Sequence, residues 1–232
     1  MRTHFRYRSS LLLALSLVTS ACGGGTEGME ESTHLGTHEP RIEDAQETRM
    51  RIGGAVRFDN GGSVMDFIVY RGDLQLMDAK VTFNGIPVEY DISRGTYNLV
   101  EFLGSVFSEG RSAEVCAAWQ DELLCRTLTA PGDFSILGPE MFQRVSGSQP
   151  FWAWWQTSAG ASRYELTLTD SSGSDTLARV SMSGTPSYMF YPVNYTGLAT
   201  LTVEAVALAP DSDVLGELTV QRMVRVSFHL EP

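Results

Sequence analysis

From Ala55 onward, apolar residues recur at every second position in short runs, and turns rich in Gly, Asn, Asp and Ser punctuate them. A side-chain period of two belongs to a strand, and no window of helical period competes with it. The chain is therefore predicted to be all-β, in the manner of a sandwich built from short strands and frequent turns. In the first half, Ala55–Phe58, Val64–Tyr70 and Tyr97–Leu103 read as strands, with a turn at Asn60-Gly61-Gly62. Asn84-Gly85, between Val81–Phe83 and Pro87–Tyr90, is the strongest short hairpin signal in the chain, because both residues tolerate the positive φ that a tight primed turn demands.

A last hairpin in this half carries two cysteines, in AEVCAAWQDELLCRTLTA from Ala113 to Ala130. With Gln120-Asp121 at its tip, Cys116 faces Cys125 directly across two antiparallel strands, a separation that suits a disulfide at a non-hydrogen-bonded pair. Such a bridge is a structural staple. A redox centre is the other reading, but exchange catalysts use closely spaced cysteines such as C-x-x-C, and here eight residues intervene.

In the second half, Phe134–Ile136, Phe151–Gln156, Tyr164–Thr169, Leu177–Met182, Ser187–Tyr191, Ala199–Leu208 and Leu218–Leu230 read as strands, and Gly138-Pro139 reads as the boundary between two domains. Along Phe151–Gln156, alternation sends Phe151, Ala153 and Trp155 to one face and Trp152 and Trp154 to the other. One set is core. The other either packs under a loop or against the first domain, or forms an aromatic surface for a sugar or a protein partner. Trp154 on an early strand, Ala161 and Tyr164 opening YELTL, and Leu198 leading into LTVEAVAL resemble a fibronectin type III or related immunoglobulin-like domain over about 90 residues. Leu201 stands where that family usually carries a tyrosine, which leaves the exact strand order open. The first half resembles an immunoglobulin-type sandwich by pattern alone.

Ahead of these domains, Arg2, Arg6 and Arg8 precede the apolar run Leu11–Val18, and the small residues Thr19, Ser20 and Ala21 follow it. Basic, apolar, then small is the order of a secretory signal peptide, and the run is too short to cross a bilayer as a helix. Ser20-Ala21-Cys22, followed by Gly23–Gly25, resembles the site of a bacterial lipoprotein, in which the cysteine receives lipid and becomes the mature N-terminus. Thr19 with Ala21 also fits ordinary cleavage to a soluble product. Cysteine parity supports the lipoprotein reading: of three cysteines, a lipidated Cys22 leaves Cys116 and Cys125 as a matched pair. Gly23–Arg49 is poor in large apolar residues and is expected to be a disordered tether, about 30 Å long as a coil and up to roughly 90 Å when stretched. A helix over Pro40–Met50 would be marginal with nothing to pack on.

Without its leader the chain has fourteen basic residues against 28 acidic ones, a formal charge of −14, which disfavours nucleic acid and anionic surfaces as partners. Histidines outside the leader are confined to His34 and His38, in the tether, and His229. No G-x-S-x-G elbow, H-E-x-x-H, P-loop or dinucleotide fingerprint occurs, so nothing points to a nucleophile-and-base hydrolase, a metalloprotease or a nucleotide enzyme. His34, His38 and Glu39 lack a helix to bring them together as metal ligands. Asp170–Asp175 and Asp211-Ser212-Asp213 read as solvated turns rather than calcium loops. The sequon Asn194-Tyr195-Thr196 has little meaning behind a bacterial-type leader.

The expectation is thus a lipoprotein signal peptide over residues 1–21, a lipidated Cys22 and disordered tether over 22–50, an immunoglobulin-like sandwich over 51–137 and a fibronectin type III-like sandwich over 138–232. The expected role is a non-catalytic cell-envelope module, held to a membrane through Cys22, the outer membrane rather than the inner, with an envelope protein or a glycan as partner. No catalytic residue, metal or cofactor is assigned. The alternatives are a carbohydrate-binding module using Trp152 and Trp154, and a hydrolase built on carboxylates in a cleft between domains.

Overall fold

The computed structural model describes residues 49–59, 61–101, 112–210, 212 and 216–232. The leader, Cys22, the tether up to residue 48 and with it nearly all of the marginal helix over Pro40–Met50, Asn60, the end of the Tyr97–Leu103 strand after Glu101 and most of the Asp211-Ser212-Asp213 turn lie outside them; Met50 is described and opens the first strand.

The described residues are all-β, with no helix among them. The strands are β1 (Met50–Asp59), β2 (Gly62–Arg71), β3 (Leu74–Gln75), β4 (Lys80–Phe83), β5 (Ile86–Asp91), β6 (Thr96–Glu101), β7 (Ser112–Trp119), β8 (Glu122–Thr129), β9 (Ile136–Gly138), β10 (Arg144–Ser146), β11 (Phe151–Trp155), β12 (Arg163–Asp170), β13 (Thr176–Met182), β14 (Ser187–Phe190), β15 (Gly197–Leu208) and β16 (Leu218–Glu231). They form a large sheet in the order β13-β12-β15-β16-β1-β2-β6-β5-β4-β7-β8, with β10 also on β16 and β3 on β2, and a three-stranded sheet β14-β11-β9.

The large sheet folds over itself because β5 changes partner along its length. Ile86–Val88 pair with β4, whereas Glu89–Asp91 pair with β6. The β4–β5 turn takes the conformation its sequence requires, with φ of 49° at Asn84 and 78° at Gly85. One core then lies between β1-β2-β6 and β4-β7-β8, where Val56, Met65 and Phe67 meet Phe83, Val115 and Leu128, and the rings of Phe67 and Phe83 stack at 6.1 Å. The buried Tyr97 finishes its hydrogen bonding by donating to the Leu76 carbonyl at 2.9 Å.

A second core lies between the three-stranded sheet and β13-β12-β15-β16, a three-on-four sandwich of the kind expected for a fibronectin type III-like module. Ala153, Trp155 and Phe190 face Leu166, Leu168, Leu201 and Phe228. Buried Tyr164 carries its hydroxyl to the edge of this core and accepts the backbone N–H of Ser158 at 2.8 Å.

The two cores share the β15–β16 hairpin. Leu218 and Val220 fill the first core, and Val226, Phe228 and Leu230 of the same strand fill the second. Leu218–Arg222 run parallel to Gly54–Phe58 of β1, so one sheet is continuous from the first core to the second. Ala130 packs in the first core and Phe134 in the second.

Some details differ from the expected strands. Phe134 is core without being strand, because the segment after Pro131-Gly132 reaches ladder geometry only at Ile136. Strands β3 and β10, two and three residues long, are too short for alternation to reveal.

Candidate functional site

The aromatic strand β11 sits at the centre of the three-stranded sheet, between β14 and β9. Alternation divides its side chains as the sequence suggests: Phe151, Ala153 and Trp155 are buried, Trp155 with only 2% of its surface accessible, while Trp152 and Trp154 are 55% and 43% exposed. The buried set is fixed by aromatic packing. Phe151 stacks on Phe190 at 5.2 Å and meets Phe228 edge-on at 5.8 Å, and Trp155 meets Tyr164 edge-on at 5.3 Å. A strand clamped this firmly on one face holds the other face in a defined position.

Trp152 lies opposite Met189 of β14, and Trp154 lies opposite Ser187 of β14 and Gly138 of β9. The Trp154 indole rests on the Gly138 backbone: a Cβ placed on Gly138 would clash with its six-membered ring, 2.3–2.5 Å from three of the ring carbons. Glycine at this position therefore lets the indole lie down on the sheet. The three strands together hold no Asp, Glu, Lys, Arg or His. Beyond β14, Tyr191 is also exposed.

Cys116 and Cys125 are opposed in the β7–β8 register and joined by a disulfide, with Cα atoms 4.1 Å apart. Both point away from the first core, which takes Val115 and Ala117 from the intervening positions. The bridge therefore ties the hairpin from outside. Glu114 lies close to the two sulfurs, but sulfurs already bonded to each other are not thiolate ligands.

A polar groove of about 360 Å³ opens on the outer face of the large sheet, where β1 and β2 meet β12 and β16. Asp66, Glu165 and Glu217 line it with Arg57 and Arg163. Asp66 pairs with Arg57 at 3.6 Å and with Arg94 at 3.7 Å. Arg163 reaches Glu165 at 3.3 Å and makes a closer pair with Glu217, and these carboxylates hold its guanidinium further into the charged form. Arg179 adds a 3.6 Å contact to Glu165, and Arg57 Nε donates to Gln221 Oε1 at 2.8 Å. Next to the groove, burial raises the pKa of Glu204, as does the Glu165 carboxylate across the β12–β15 pair. The lining carboxylates are each matched by an arginine, a pattern that joins β1 to β2 and β12 to the segment before β16, while the Arg57–Gln221 hydrogen bond joins β1 to β16. His229 is exposed on β16.

Of the residues singled out from sequence, Trp152 and Trp154 come together on one surface, Cys116 and Cys125 come together in one bond, and Cys22 lies outside the described residues. Sequence reasoning missed Gly138, which read as a boundary glycine, and the groove. Its residues belong to strands whose pairing joins positions more than 160 apart, as in Arg57↔Gln221, and no local pattern announces that.

No family model matches the chain, and no curated protein matches it. Similar solved structures include the fibronectin(III)-like modules of Clostridium thermocellum CbhA, at 11% identity over 79% of this chain and 94% of that one, with a TM-score of 0.30. The BSP domain of a biofilm associated protein is 14% identical over 78% of this chain and 29% of that one, with a TM-score of 0.27. A three-Ig fragment of titin is 9% identical over 79% of this chain and 65% of that one, with a TM-score of 0.25. At these scores the strand order, rather than the likeness, carries the fold reading.

Proposed function

We propose that this chain is a non-catalytic binding module of the cell envelope, tethered through a lipidated Cys22, and that it meets its partner with the outer face of the three-stranded sheet. The observation that carries the reading is the pair Trp152 and Trp154, large aromatic side chains held out into solvent by a strand whose alternate residues are locked in the core. Exposed aromatic surface on a rigid support is the usual substance of a recognition site. The polar groove is the weaker candidate, because its lining carboxylates Asp66, Glu165 and Glu217 are each engaged by an arginine.

Two measurements test the two halves of this reading. Replacing Cys22 by Ser and fractionating cells is expected to move the protein from membrane to soluble fractions; retention on the membrane would end the lipid-anchor half. Crosslinking in native envelopes is expected to capture a partner with the wild-type chain and to lose it with Trp152→Ala/Trp154→Ala. Equal capture by both would end the other half.

A further inference from the structure

We infer that the ligand of the Trp152–Trp154 face is a neutral polysaccharide, its sugar rings stacking on the two indoles. This deepens the binding-face reading and rests on it. Three observations select the ligand class.

The first is charge. The three strands carry no Asp, Glu, Lys, Arg or His, in a chain whose formal charge is −11. An acidic polymer or a strongly charged protein would find no counter-charge on the face and a repulsive field around it. A neutral glycan meets neither obstacle.

The second is size. The sheet is three strands wide and five residues long at its centre, which is roughly 10 Å by 17 Å between backbone atoms. That is about 170 Å² between backbone atoms, a narrow strip along the aromatic strand. It suits a narrow, extended chain.

The third is the geometry of the rings. Trp152 and Trp154 stand about 6.8 Å apart along one strand, and Trp154 rests on Gly138 with 43% of its surface exposed. A flat-lying indole offers its π face, which attracts the C–H-lined face of a pyranose and requires no charged partner. Because Gly138 seats this ring before any ligand arrives, little side-chain freedom is lost on binding.

The test is affinity gel electrophoresis of the purified mature chain through gels containing soluble β-glucan, xylan or mannan, with polygalacturonate as the acidic control. At least one neutral polysaccharide is expected to retard the protein, and polygalacturonate is not. Trp154→Ala should weaken retardation about tenfold or more, Trp154→Tyr should recover part of the loss, and both variants should keep the wild-type thermal midpoint within a few degrees. No retardation on any neutral polysaccharide, or retardation unchanged in Trp152→Ala/Trp154→Ala, overturns the inference. If it fails while the double variant still loses its crosslinked partner in envelopes, the face binds a protein: the glycan assignment falls and the binding-face reading stands.

Discussion

Trp154 and Trp155 are neighbours in the chain and opposites in environment, the first with 43% of its surface exposed and the second with 2%. Truncating Trp155, and Trp152 on the exposed face with Trp154, should separate function from stability. Trp155→Ala empties the middle of the second core and is expected to cost about 3–5 kcal/mol, whereas Trp152→Ala should stay within about 0.5 kcal/mol of wild type; urea unfolding measures both. Glu204 offers a pH-dependent counterpart. Burial, and then Glu165, raise its pKa in the folded protein, so the folded state binds more protons than the unfolded one between an ordinary glutamate pKa and the raised value. Stability due to this group is therefore present at low pH and lost as pH rises through that window. Glu204→Gln should then stabilise the protein at pH 7 by about 0.2–1 kcal/mol, the scale of an opposed like-charge pair on a sheet. The gain should vanish in acid, where the native carboxyl is protonated too. A thermal-shift series from pH 4 to 8 shows whether the difference follows this course.

At the scale of elements, the hairpins were the legible part. Asn84-Gly85 and Gln120-Asp121 each specify a turn from adjacent residues, and once the second turn is placed, the opposition of Cys116 and Cys125 follows by counting. The disulfide adds to a hairpin whose inner face is already buried through Val115, Ala117 and Leu128. Replacing both cysteines by serine should thus preserve the fold and lower stability by about 2.7 kcal/mol, the chain-entropy value for a ten-residue loop. Loss of the β-sheet circular dichroism signal in the double variant would show that the bridge is required for folding. Alternation also identified both faces of β11, because a period of two states which side chains share a side. It does not state what lies above them. The seating of Trp154 on Gly138 depends on β9 pairing with β11 across a register shift, and Gly138-Pro139 read on its own suggests only a break.

Across the whole molecule, the feature least visible in the sequence is the sharing of β15–β16 by both cores. Patterns of period two fix inward and outward but not which strand comes next, and the parallel pairing of Leu218–Arg222 with Gly54–Phe58 spans more than 160 residues. Its physical consequence is coupling. Val220 belongs to the first core and Phe228, eight residues on, to the second, while the Arg57–Gln221 hydrogen bond and the Arg163–Glu217 pair brace the same region from the outer face. Unfolding followed with Trp119 as reporter of the first core and with Trp155 as reporter of the second should therefore give coincident transitions. Two separated midpoints would mean that the cores unfold independently despite the shared strand.

Binding through the exposed indoles of β11 requires that they be covered in the cell. Oxidative footprinting read residue by residue with mass spectrometry tests this without knowing the partner. Trp152 and Trp154 should oxidise readily in the purified chain and be protected severalfold in intact envelopes, while the buried Trp155 stays unreactive in both. Equal oxidation of Trp152 and Trp154 in the two preparations would overturn the binding-face proposal, because the face would then be bare in the setting where it is meant to bind.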